Sequence, residues 1–146
     1  MTAYLEPTQV SGRAFFMRGI QGPVLMLNLL RFRENADYSA APHLAPPEPI
    51  SGAEAYALYA EHTMPFLKAS GGEVVLEGDG GGWLIGPEDE HWDKVLLVRQ
   101  ASTEAMMAFP DDAAYMAGLA HRTAALADSR LLPIAPLGQA GAVTPP

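Results

Sequence analysis

The sequence predicts an α+β domain in which two helices cover one face of a four-stranded antiparallel sheet. Three observations carry the prediction. Strand and helix signals follow one another as strand, helix, strand, strand, helix, strand. The first strand, Val24 to Phe32, is rich in large apolar residues on both of its alternating faces. The last, Leu131 to Leu137, contains Pro133 and Pro136, which confine it to a sheet edge because proline cannot donate to a ladder. Two right-handed split crossovers with this element order give a ferredoxin-like βαββαβ sandwich, and they place the last strand at an edge.

The elements are read in order. Residues Thr8 to Gly19 form a short helix or turn beside the first strand, with Gly12 weakening the helix. Gly22-Pro23 turns the chain into the strand Val24 to Phe32. From Glu34 to Ile50 four prolines forbid regular structure, so this stretch is a long loop. Ser51 and Glu54 have the spacing of a capping box, in which each side chain satisfies the other's backbone N–H. The helix they start is expected to reach Ser70, where Gly71-Gly72 supplies a left-handed cap, with a kink at Pro65. Glu73 to Glu77 is a second strand, and GDGGG after it reads as a turn, with Trp83 to Gly86 continuing or folding back. Trp92 to Gln100 is the third strand. Ser102 caps a short helix that Pro110 stops, and Asp111 or Asp112 starts a longer one to about Ser129. The core of the single domain 1–146 thus spans about 22–137, and residues 138–146 form a loose tail.

A length of 146 residues suits one domain with a modest core. A hydrophobic content of 49% excludes a mainly disordered chain, and a net charge of -8 argues against sequence-independent binding to nucleic acid. The absence of cysteine excludes disulfides, thiolate zinc sites, iron–sulfur clusters and a cysteine nucleophile. No stretch approaches the roughly 20 apolar residues of a membrane helix, and the start MTAYLEPTQV does not read as a signal peptide. A cytoplasmic protein with neither membrane nor nucleic-acid partners is expected. Because two helices cover one sheet face and the first strand is apolar on both, the other face needs a partner, and a homodimer with sheets packed face to face is expected.

The segments VLMLNLLRFR, AYALYAEHTMPFLKASGGEVVLEG, WDKVLLVRQAS and DAAYMAGLAHRTAALADSRLL, in this order and spacing, resemble the domain-of-unknown-function family numbered 1330. That family belongs to the dimeric α/β-barrel superfamily of ferredoxin-like proteins. The resemblance covers Pro23 to about Ile134. It implies a dimeric α/β barrel and assigns no activity, since the family has none assigned. Tyr115 and Arg122 match the family's tyrosine and arginine on the second helix. Where the family commonly carries an aromatic residue, Pro and Ser, this chain has Gln100-Ala101-Ser102, a departure from the pattern. The wider superfamily includes cofactor-free monooxygenases, muconolactone-isomerase-like proteins and haem-degrading enzymes, an analogy of fold alone.

Several residues are candidates for chemistry. Tyr115 and Arg122, seven apart, share a stripe with Leu119 and Leu126 on the long second helix. Arg122 is read either as one half of a structural pair or as a fixed cation gripping a ligand carboxylate or phosphate. Tyr56, Tyr59, His62 and Phe66 recur at spacings of three and four on the first long helix, as core or as site lining. His62, beside the carbonyl that Pro65 frees at Glu61, is the candidate proton shuttle. Asn28, between Met26 and Leu30, needs partners for its amide, from a neighbouring loop or from a ligand. Arg31 and Arg33 lie at the strand exit, with apolar stems covered and charges wet. EDEHWD is a solvated acidic turn rather than a metal site, and GDGGGW lacks the helix start and lysine of a phosphate loop. The chain also has no G-x-S-x-G elbow.

The leading functional expectation is a protein that binds a small polar or carboxylate-bearing organic molecule. The cleft lies between the sheet, the first long helix and loop Glu34 to Ile50, with Asn28, Tyr59, Tyr115 and Arg122 as ligand contacts. It is either an enzyme of the cofactor-free type, with His62 moving the proton, or a binder alone. The alternative is a non-catalytic dimeric structural or regulatory module. Neither a cofactor nor a metal is expected.

Overall fold

The computed structural model describes residues 2–137, so the expected tail at 138–146 lies outside the described residues. Helix α1 (Gln9–Met17) is opened by Thr8, whose side chain accepts from the Ser11 N–H while Ser11 reaches back. Strand β1 (Val24–Phe32) follows, then the loop, which holds a short tight turn at Pro42–Leu44. Helix α2 (Gly52–Ala69) begins at the expected capping box, where Ser51 Oγ accepts from Glu54 N–H at 3.0 Å and Glu54 returns a bond to Ser51 N–H at 2.9 Å. Pro65 lies inside α2, which continues to Ala69. Strands β2 (Glu73–Gly82) and β3 (His91–Gln100) form a hairpin. Helices α3 (Thr103–Met107), α4 (Ala113–Met116) and α5 (Leu119–Ala125) lead to strand β4 (Leu126–Ile134).

The sheet order is β2-β3-β1-β4, with every pairing antiparallel. This is the ferredoxin-like arrangement: the crossover from β1 to β2 passes through α2, and the one from β3 to β4 passes through the shorter helices. β4 is an edge strand, and it carries Pro133 opposite Met26. Its missing N–H therefore costs the sheet little.

Two stretches depart from the sequence reading. The glycines of GDGGG continue β2 instead of turning it, and the turn falls at residues 83–90. A Cβ at Gly80 would stand 2.3 Å from the Trp92 carbonyl oxygen, so a residue that reads as a turn former is here the one that lets two strands approach. The expected long second helix, which carried the stripe Tyr115–Leu119–Arg122–Leu126, is two short helices broken around Ala117-Gly118. It ends at Ala125 rather than Ser129, and β4 starts at Leu126 rather than Leu131. Packing decides both changes. At Gly118 the chain runs so close to His62 that a Cβ would meet its ring at 2.2 Å. Leu126 is fully buried opposite Phe32, and Arg33 N–H donates to Ala125 O at 2.8 Å, which draws this segment into the sheet. Helical propensity over so few residues is too weak to oppose that burial.

The core lies between the sheet and α2 with α5. Leu30, Ala55, Tyr56, Ala125 and Leu126 form its buried centre, with Phe32, Tyr59 and Leu96 packed against it. Val24, Met26 and Leu30 of β1 point this way and are at most 3% exposed. Leu25, Leu27 and Leu29 point the other way, in register with Val95, Leu97, Leu132 and Ile134, and no element among the described residues seals them.

Candidate functional site

The helix-facing side of the sheet and the α2–α5 junction carry a cluster of phenols. Tyr56 and Tyr59 sit three apart on α2 with ring centroids 5.4 Å apart. The Tyr59 hydroxyl is 3.3 Å from that of Tyr115 on α4. Tyr115 is held in place by stacking on Phe109 at 4.5 Å and by an edge-to-face contact with Phe66 at 5.7 Å. Tyr56 is only 7% exposed, yet its hydroxyl meets no hydrogen-bond partner among the described residues.

Burial is the main cause that pushes the Tyr56 and Tyr115 phenols far above their ordinary pKa, with the neighbouring Tyr59 adding to it; the Arg122 charge offsets part of the rise. Both are therefore neutral O–H donors throughout the physiological range. A group of neutral donors next to a guanidinium suits an oxygen that carries negative charge.

The five residues singled out from the sequence fall in different settings. Tyr59 and Tyr115 meet directly, although a helix break separates Tyr115 from Arg122. Arg122 lies close enough to Tyr56 and Tyr115 to influence both electrostatically, while its guanidinium donates to the Leu5 carbonyl and, at 3.3 Å, to Ser129 Oγ. It thus ties the N-terminal segment to β4, with a main-chain carbonyl and a hydroxyl as partners. His62 stands beside the α4–α5 break, where Nε2 donates to the Ala114 carbonyl at 2.8 Å, rather than engaging the carbonyl at Glu61. The accepting carbonyl places a proton on Nε2. Asn28 lies on the helix-facing side of β1 between Leu96 and Leu131, and its Nδ2 donates to the Met26 carbonyl at 3.1 Å.

A second pair was not foreseen. Tyr38, in the proline-rich loop, places its hydroxyl 2.7 Å from His121 Nδ1 on α5, with the rings edge to face. Eighty-three residues separate the two, and no spacing rule connects them. Tyr56 was visible as part of the α2 aromatic stripe, but its unpartnered hydroxyl depends on how the helices pack.

Arg31 and two acids near it are engaged elsewhere. Arg31 donates to the His91 carbonyl through Nε at 3.1 Å and through its terminal nitrogen at 2.9 Å, and its guanidinium lies 4.9 Å from the Trp92 ring centroid. In the acidic turn, Glu90 accepts from Trp83 Nε1 at 2.6 Å and Asp93 from the Phe32 N–H at 2.8 Å. Among the described residues no three His, Asp or Glu side chains gather as a metal site, and no helix is long and apolar enough to cross a membrane. Two surface hollows flank the helices. One, of about 480 Å³, is an apolar depression on the outward side of α2 bordered by Ala60, Met64 and Pro65. The other, of about 230 Å³, lies in the loop between Ala36, Tyr38, Pro46, Pro47 and Ile50.

Two solved structures match nearly the whole chain. The methylated RPA0582 protein shares 37% identity at a TM-score of 0.79, over 95% of this chain and 98% of that one. A second structure, of the RPA0582 protein of unknown function from Rhodopseudomonas palustris, shares 37% identity at a TM-score of 0.76, over 94% and 99%. A dimeric protein of unknown function and ferredoxin-like fold from Bacteroides fragilis shares 9% identity at a TM-score of 0.47, over 80% of this chain and 98% of its own. No curated protein sequence matches this one. Residues 49–133, which include α2, the hairpin, the phenol-bearing helices and most of β4, match the model of a domain of unknown function, and the chain belongs to that family, DUF1330.

Proposed function

We propose that this protein is a homodimeric binder of small organic acids, taking the ligand at the phenol cluster where α2 meets α4 and α5. The observation that carries the reading is the Tyr56 hydroxyl, a neutral donor without a protein partner among the described residues, beside the Tyr59–Tyr115 pair and the Arg122 charge. A ligand oxygen accepting from it would gain a bond that the protein's own groups do not make. Arg122 contributes field rather than a two-point grip, since its guanidinium is already bonded to Leu5 and Ser129. Dimerisation is supported by the uncovered outer sheet face, where Leu76 and Leu132 remain 56% and 57% exposed in the single protomer.

A thermal-shift panel of aromatic and aliphatic monocarboxylic acids tests the ligand. At least one acid should raise Tm, and Tyr56→Phe should remove that rise without lowering the Tm of the free protein. A flat panel, or a variant that responds as the native protein does, would overturn the reading. It would favour a dimeric structural module, for which the self-paired Tyr59–Tyr115 hydroxyls are the supporting contact.

A further inference from the structure

We propose that the Tyr38–His121 contact is a proton-controlled latch holding the proline-rich loop against the helix pair. The base of the loop is fixed by its backbone. Arg33 N–H donates to Ala125 O at 2.8 Å, Asp37 N–H to Ala124 O at 2.9 Å, and Ala36 N–H to Ile50 O at 2.9 Å. Beyond Asp37 the bonds turn inward: Ala41 N–H donates to Tyr38 O, Leu44 N–H to Ala41 O, and Ala45 N–H to Pro42 O. Ser39 N–H likewise reaches only to Asp37 Oδ1. Prolines at 42, 46, 47 and 49 remove backbone donors that further anchors would use. Among the described residues, the Tyr38 hydroxyl makes the one hydrogen bond from this outer stretch to the helices.

His121 is half-buried at the junction and faces Tyr38 from the loop and His62 from α2. Arg122 follows it on α5, and Arg33 and Asp37 stand at the base of the loop. With Nδ1 unprotonated, the imidazole accepts the phenol hydrogen. Burial and the nearby His62 lower its pKa from the ordinary histidine value, so the accepting form prevails at neutral pH. Once Nδ1 binds a proton it can no longer accept, and the phenol hydrogen must turn away. A positive charge also appears in a half-buried junction opposite a second imidazole. Acid therefore weakens the contact twice over. Release of the outer stretch opens the hollow that Tyr38 forms with Ala36, Pro46, Pro47 and Ile50, and lifts Tyr38 from the core surface it covers.

Hydrogen-exchange protection factors for peptides covering residues 36–45, measured on the full chain at pH 7.5 and 5.5, test the latch. Protection in the native protein should fall about fivefold on acidification, as loss of one ordinary hydrogen bond predicts. Tyr38→Phe, which keeps the ring, should show the lower protection at both pH values. His121→Gln can accept the phenol hydrogen but cannot titrate in this range, so it should remain protected at both and exclude the exposed His43 as the sensor. Equal protection of the native loop at the two pH values would overturn the latch. So would a Tyr38→Phe variant that keeps the native pH response, or a parallel loss of protection in α2, which would mark general acid destabilisation.

Discussion

The two faces of β1 are built from nearly the same residues and have opposite fates. Val24, Met26 and Leu30 face inward and are essentially sealed, Leu30 packing with residues of α2 and α5, whereas Leu25, Leu27 and Leu29 face outward and are only partly buried among the described residues. A leucine is thus core or uncovered surface according to the parity of its position, because successive side chains alternate across the sheet. The inner face supplies the stability of the protomer. The outer face supplies an apolar surface that the protomer cannot cover alone.

The sharpest way to break this comparison is to change one leucine on each side. Leu30→Ala should cost the fold about 2–5 kcal/mol in denaturant unfolding, as truncation of a sealed core side chain does. Leu27→Lys should leave a folded protomer but halve the mass seen by size-exclusion chromatography with light scattering. If Leu27→Lys remains a dimer at micromolar concentration, the outer face is not the interface. Arg122→Ala comes next, at about 2 kcal/mol, because it removes charge-assisted bonds to the Leu5 carbonyl and Ser129 and frees the N-terminal segment from β4. Unchanged unfolding of that variant would mean the tie has no weight.

The smallest effect concerns acid. Burial of Asp128 raises its carboxyl pKa, but bonds from the Tyr4 N–H, the Arg130 side chain and the Ser129 N–H outweigh this and leave it below the ordinary carboxylate value. A folded pKa below the unfolded one gives stability that is complete above about pH 4 and fades as the pH falls through the folded value. The Tm difference between the native protein and Asp128→Asn should accordingly shrink between pH 5 and pH 3. A constant difference would assign Asp128 no part in acid sensitivity.

Much of the fold was legible because local chemistry and tertiary demand agreed. The capping box at Ser51 and Glu54, the apolar run of β1 and the edge proline Pro133 of β4 each have a mechanism that acts over a few residues, although β4 ends at Ile134 and leaves Pro136 outside it. The misread stretches are those where the two conflict. GDGGG has turn composition but lies in a strand because only glycine tolerates the approach of Trp92. Ala127 to Ser129 can extend a helix, yet they pair with β1 because that pairing buries Leu126. Of the candidate site, Tyr59, Tyr115 and Arg122 do meet in one region, through the packing of three helices, α2, α4 and α5, rather than along the single stripe that the spacing of Tyr115 and Arg122 suggested.

The sequence by itself determined the order of the elements, the edge position of β4 and the apolar character of both faces of β1. These follow from alternation, capping and the missing donor of proline, which operate within one segment. Only the tertiary structure decided that Tyr56 keeps an unpartnered hydroxyl, that Arg122 binds Leu5 and Ser129, and that Tyr38 meets His121. Those contacts join segments far apart in the chain. A hydrogen bond depends on positions to within a few tenths of an ångström, which packing sets and local spacing does not.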